Sequence, residues 1–259
     1  MSALRWVSSR SARSAEMTGV VSLRLAVLWA GLLVALPLAG SMLSPALAEA
    51  QSGVEKKEPT RLYASVFVSG RSGYRIIHYW SDQSKMRAET LIGGHPITTI
   101  VRDDQYLVFD RLTNKGLAIT RAPAAKSDQA KRGRPFGNDW QEIRDAGGEL
   151  VEETKLAGAD VEVWQLTNSN GSQKVWVTKD AARVPLKVET YDRKSSNTVT
   201  QDYSNWTVEL EMPAAFFEAA PNVNFERYSY EDFVAKARKE PVGTVPVLYP
   251  DLLHGSRPR

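Results

Sequence analysis

The sequence predicts a mainly β protein: one strongly curved antiparallel sheet of about eleven short strands, with a few short covering helices. Three observations carry this. Apolar and polar residues alternate with a period of two from Leu62 to Leu210, with a single long interruption. The alternating runs are a few residues long and are separated by turn formers such as Gly93-Gly94, Asp103-Asp104 and Asn168-Ser169-Asn170-Gly171. Only two or three stretches carry a helical pattern. An open sheet of that many strands curls or splits, so strong curvature is expected.

Taken in order, the chain begins with an export signal. A charge-free apolar run from Leu25 to Leu43 follows Arg24 and ends at Ala46-Leu47-Ala48, where small residues occupy the positions that a signal peptidase reads. Residues 1–48 are therefore expected to be cleaved after Ala48, which sends the rest to the periplasm of a Gram-negative cell. The run is also long enough for an uncleaved anchor, but Gly31, Pro37 and Gly40 loosen its helix. Met17 is an alternative start. There is no Arg-Arg pair for twin-arginine export, and no cysteine for a lipid anchor or a disulfide. Residues 1–48 hold four basic groups and one acidic group, which leaves 29 of each in the remainder. The exported part is neutral, and a general attraction to nucleic acid is not expected.

Residues 49–60 are polar and read as a flexible lead-in to a single domain over 61–240. Leu62, Ala64, Val66 and Val68 share one face of a first strand; Tyr74, Ile76, His78 and Trp80 share one face of a second. A third runs through Met86, Ala88, Thr90 and Ile92, and Pro96 to Arg102 forms a fourth. Tyr106 to Asp110 and Leu117 to Thr120 follow their turns as the fifth and sixth. The rhythm then breaks. Arg121 to Asn138 has little to bury and reads as a long mobile loop, followed by a short helix around Asp139 to Arg144. Five more strands are expected over Glu149–Leu156, Val161–Thr167, Gln173–Thr178, Pro185–Tyr191 and Thr198–Leu210. Pro213 to Ala219 reads as a helical turn. The clearest helix is Tyr230 to Lys239, with Ser229 as its cap, Asp232 three residues on, a basic last turn and Pro241 as a stop. Residues 241–259 contain Pro246, Pro250 and Pro258, show no period, and read as a tail.

The stretches Val175-Trp176-Val177, Val184 to Tyr191, Phe216-Phe217 and Pro221 resemble the second half of periplasmic proteins with the LolA-like fold, the outer-membrane lipoprotein-sorting type. Lys85 to Glu89, Thr98 to Val101 and Gln105 to Phe109 match the first half, so the resemblance spans about residues 61–227. It implies a half-open barrel wrapped by helices around an apolar cavity that holds acyl chains. Its members carry lipoproteins, bind lipids or sense envelope stress. One feature departs from the family's carrier proteins: they begin with an amphipathic helix, and Glu49 to Thr60 is too short and polar to form one. The carrier itself is therefore not expected, and any lid must come from residues 121–144 or 230–239.

Six aromatic residues on expected strands, Phe67, Tyr74, Trp80, Trp164, Trp176 and Trp206, are the candidates to line such a cavity; the alternative is ordinary core packing. Arg121, Lys126, Lys131, Arg132 and Arg134 form a locally basic stretch that suits anionic headgroups or an inner- or outer-membrane protein partner; the alternative is a solvated loop. His78, His95 and His254 have no ligand spacing, so no metal site is expected. No nucleophile elbow, zinc-protease motif, phosphate loop or paired carboxylates stand out. The sequence reading is thus a non-enzymatic periplasmic protein without cofactors, whose partners are lipid or lipoprotein acyl chains. Its alternatives are a sensor or accessory interaction module of the same fold, using the basic stretch or the tail, and an enzyme with scattered site residues.

Overall fold

The computed structural model describes residues 59–71 and 73–256. The expected export signal and all but Pro59 and Thr60 of the expected lead-in lie outside them. Twelve strands form one open sheet: β1 (Leu62–Gly70), β2 (Gly73–Asp82), β3 (Lys85–Ile92), β4 (His95–Arg102), β5 (Gln105–Asp110), β6 (Lys115–Thr120), β7 (Glu149–Leu156), β8 (Ala159–Asn168), β9 (Gly171–Thr178), β10 (Pro185–Asp192), β11 (Asn197–Val208) and β12 (Asn224–Tyr228). The spatial order is β12-β6-β5-β4-β3-β2-β1-β11-β10-β9-β8-β7. Two meanders are therefore joined where β1 pairs with β11, Val66 opposite Tyr203, across the interruption in the sequence. The sheet does not close into a barrel.

Eleven of the strands follow the predicted runs within a few residues, because each is bounded by a turn whose residues accept the required backbone. Asp103 and Asn114, at the β4–β5 and β5–β6 turns, both adopt a positive φ. The twelfth was not predicted. β12 lies parallel to β6, Phe225 opposite Gly116, and is five residues long, too short for its period to register.

Cross-strand partners share a face, so the register assigns every side chain to one of two surfaces. The inner face carries Leu62, Ala64 and Val66 from β1, Ile77 and Tyr79 from β2, Met86 and Ala88 from β3, and Tyr106 and Val108 from β5, all buried in one cluster. Helices α1 (Pro123–Arg132), α2 (Asp139–Asp145), α3 (Tyr230–Ala237) and α4 (Pro250–His254) accompany this cluster and a second one, where Ile143 of α2 packs with Val175, Val177 and Val188. On the outer face a one-turn 3₁₀ segment, Ala214–Phe217, buries Phe217 against Ile100, Leu107, Phe109 and Ala118. Ser229 caps α3 as expected, its Oγ accepting the Asp232 amide at 3.1 Å.

One expectation is corrected. The stretch Arg121–Asn138 is not a mobile loop: it forms α1, which starts on Pro123 and buries only Ala125 and Gln129. So narrow a buried stripe leaves no helical period to read. The tail, read from sequence only as a segment without a period, contributes to the core. Val245, Leu252 and Leu253 are buried in the main cluster, and the Tyr106 hydroxyl accepts the amides of Leu248 and Tyr249.

Candidate functional site

Beside the helices, the inner face of the sheet carries an open pocket of about 320 Å³. Tyr79 of β2, Met86 of β3, and Gln201 and Tyr203 of β11 form its floor; Phe136, Asp139 and Glu142 cover one side, and Leu248, Tyr249 and Leu252 of the tail the other. Five rings run in sequence around it. Tyr249 meets Tyr79 edge-on at 5.8 Å between centroids, Tyr79 stacks on Phe136 at 5.1 Å, Phe136 on Trp206 at 5.8 Å, and Trp206 on Tyr203 at 5.5 Å. The turn that delivers Phe136 needs glycine at 137, whose φ is +72° and where a Cβ would come within 2.9 Å of the Trp206 ring.

Two buried arginines fasten the cover. Arg134, 3% exposed, donates to the carbonyls of Gly137, Ala182 and Arg183 and to Asn138 Oδ1, and so fixes the Phe136 turn to the loop between β9 and β10. Arg121, also 3% exposed, donates from Nε to Leu252 O at 2.7 Å and from another nitrogen to Asp103 O at 2.9 Å. It thereby ties the tail that carries Tyr249 to the β4–β5 turn. A guanidinium presents five donors in a rigid fork, and both arginines spread theirs over backbone carbonyls and a neighbouring side-chain amide, Asn138 for Arg134 and Gln129 for Arg121.

Asp139 is the distinctive charge. It lies at the start of α2, half-buried, and accepts the Tyr203 hydroxyl at 3.4 Å. Burial, reinforced by the nearby Glu142, raises its pKa from 3.8 to about 6. Burial likewise pushes Tyr79 up to about 12 and holds Tyr203 and Tyr249 well above the usual tyrosine value, so all three are neutral hydroxyls at physiological pH. The pocket opens into a polar cleft of about 610 Å³, and Arg132, Asn138, Glu142 and Asp251 border both. The cleft adds Asp128, Lys131, Gln141 and Asp145. Arg132 lies 3.6 Å from Glu142 and also donates to the Ser256 hydroxyl.

The predicted cavity residues divide between the two faces. Phe67, Tyr74 and Trp80 point outward, away from the pocket. Phe67 and Tyr74 are 42% and 80% exposed and stack on each other at 5.8 Å, while Trp80 packs on Tyr63 and Phe216. Trp176 is also on the outer face, under the ammonium groups of Lys174 and Lys187 at 4.9 and 5.0 Å. Trp164 is on the inner face but packs edge-on against Trp140 of α2 at 6.2 Å. Of the six, Trp206 backs the pocket rings. The error has a simple origin: β2 carries large apolar residues on both faces, and Tyr79, not Tyr74 or Trp80, is on the inner one. Of the basic group, Arg121 and Arg134 are buried and unavailable to a membrane or partner, Lys126 and Lys131 are exposed, and Arg132 lines the cleft. The histidines have separate local partners: His78 with Tyr63, His95 with Asp110 and His254 with Tyr230. Tyr79, Phe136, Asp139, Tyr203 and Tyr249 were missed. The only hints in sequence are the inward alternation of Tyr79 with Ile77 and an aromatic residue in an otherwise featureless tail.

No protein-family model matches the sequence, and no curated protein matches it. Solved structures do. An uncharacterized conserved protein from Thermus thermophilus aligns with a TM-score of 0.49 at 15% identity, over 68% of this chain and 94% of that one. MucB in the MucA/MucB complex of Pseudomonas aeruginosa aligns at 0.42 and 12% identity, over 66% of this chain and 59% of that one. A LolA superfamily protein from Nitrosomonas europaea aligns at 0.30 and 11% identity, over 63% and 91%. At such identities the likeness is one of fold. All three alignments have TM-scores below 0.5. Among the described residues no helix is long and apolar enough to cross a membrane.

Proposed function

We propose that this is a periplasmic, non-enzymatic protein of envelope transport or maintenance that binds the apolar chain of a lipid or lipoprotein in the ring-lined pocket. The observation that carries the reading is the pocket itself: a recess where aromatic rings, Leu248 and Leu252 meet polar groups such as Asn138, Asp139 and Gln201, bordered by a larger cleft and covered by segments that buried arginines pin. Such a shape suits an amphiphile, with its chain inside and its head in the cleft. A volume of 320 Å³ equals that of about ten waters at ~30 Å³ each, which admits one chain of roughly ten methylenes. At about 0.8 kcal/mol each, burying them yields about 8 kcal/mol before the costs of association. Release requires a membrane or partner that competes for the same chain.

The test is native mass spectrometry of the protein purified without detergent, followed by titration with a radiolabelled fatty acid. Gln201→Trp, which fills the pocket from a half-buried position, abolishes retention, whereas Trp176→Ala on the outer face leaves it unchanged. Equal loss in both variants, or retention in both, refutes the assignment of the pocket.

A second reading has its own support. Phe67, Tyr74, Ile76 and Leu91 are 42–80% exposed on the outer face of neighbouring strands β1 to β3, and Phe67 lies directly opposite Ile76. An apolar surface of this kind suits a protein partner. In that case the chain is an accessory module, and a detergent-free preparation carries no lipid.

A further inference from the structure

Because neighbouring strands in each meander are antiparallel, their turns gather at two ends of the sheet, and the two ends differ in charge. At one end the β1–β2 and β10–β11 turns lie side by side, the Arg71 amide donating to Asn197 Oδ1 at 3.3 Å. They present Arg71, Arg193 and Lys194, all exposed and none in a salt bridge among the described residues. Asp192, the acidic residue of these turns, is folded back on Ser195, whose amide and hydroxyl it accepts. The turns of the opposite end carry Asp103, Asp104 and Asp180, and Lys155 and Lys179 there are paired with Asp160 and Glu153.

The outer face beside the basic turns is apolar. Phe67 lies opposite Ile76, Leu91 follows on β3, and Tyr74, 80% exposed, stacks on Phe67. Tyr191, also exposed on this face, lies two residues before Arg193. Further along the face the charges cancel: Lys187 stands opposite Asp202, Glu189 opposite Lys174, and Glu89 is held by Arg87 and Arg111. The unbalanced charge is therefore confined to the turns next to the exposed rings.

We propose that this end of the sheet docks on an anionic lipid bilayer, with Tyr74, Ile76 and Leu91 at the acyl boundary and Arg71, Arg193 and Lys194 among the headgroup phosphates. Large apolar side chains flanked by basic ones are what the interface of such a bilayer accepts: the former leave water, and the latter keep their charged ends beside phosphate. Excess charge of one sign next to the rings favours a lipid surface over a protein partner. The docking surface is separate from the pocket and does not depend on what the pocket holds.

Sedimentation of the purified protein with sucrose-loaded vesicles, of phosphatidylcholine alone or mixed with phosphatidylglycerol, tests this. Binding is expected to the mixed vesicles only, and to weaken as salt is added. Arg193→Gln and Lys194→Gln each lower the partition coefficient by roughly fivefold, and together by roughly 25-fold. Leu91→Ser, at an exposed position on the outer face, lowers it by roughly tenfold. Lys126→Gln, exposed on α1, changes nothing. Equal binding to both vesicles, an unchanged Leu91→Ser, or a loss in Lys126→Gln as large as in Arg193→Gln overturns the assignment. Binding to neither vesicle overturns it too, and is the result expected of a surface that a protein covers.

Discussion

Asp139→Asn is the sharpest test of the pocket's electrostatics, because the sign of its effect on stability is fixed by the structure. A carboxyl held at about 6 when folded and near 3.8 when unfolded binds its proton more tightly in the folded chain. Stability therefore falls as pH rises from 3.8 to 6 and stays lowered above that window. The full cost is about 3 kcal/mol at 1.36 kcal/mol per pH unit; water reaching the half-buried carboxylate through the mouth reduces it to about 1–2 kcal/mol. Asparagine keeps an acceptor for the Tyr203 hydroxyl and removes the charge. Urea denaturation followed by tryptophan fluorescence at pH 7.5 should show the variant more stable by about 1–2 kcal/mol, a rise of about 2–8 °C in Tm for a chain of this size. The gain shrinks as pH falls through the window. A variant that is less stable by 1 kcal/mol or more at pH 7.5 refutes the reasoning, since it means that Arg132 or Arg134 stabilises the carboxylate by more than burial costs it.

Other substitutions probe how the site is held. Gly116→Ala places a Cβ 2.5 Å from both Phe109 Cβ and Val108 O, and should cost about 1–3 kcal/mol; an unchanged urea midpoint excludes the close approach of β5 and β6. Arg121→Met leaves the Leu252 and Asp103 carbonyls without their donor and should cost about 2–4 kcal/mol, with faster proteolysis after residue 240 as a second readout. Leu253→Ala, at a fully buried position of the tail, should cost about 2–5 kcal/mol; a loss below 0.5 kcal/mol shows that the tail is dispensable.

The strands were legible because each is a local event. Period-two alternation between residues such as Leu62 and Val68, ended by Gly, Asn or Asp in turns that tolerate a positive φ, needs no information from elsewhere in the chain. The capped helix at Tyr230 and the turn at Pro213 are local in the same sense. The lack of cysteine alone excluded disulfides. Tertiary structure decided the remainder. Which face of β2 is inner depends on its pairing with β1 and β3 and on where the helices lie, so Tyr79 became a wall of the pocket while Trp80 and Tyr74 faced outward. Helix α1 and the tail escaped detection for a related reason: neither buries a periodic stripe. Both are held by contacts from distant residues, the Arg121 guanidinium on Leu252 and the Tyr106 hydroxyl on Leu248 and Tyr249. The pocket is made of residues 79, 136, 139, 203 and 249, which no sequence period connects. Local sequence determines where strands begin and end, because turn geometry and alternation act over a few residues; it does not determine a cavity, which exists only between elements that packing brings together.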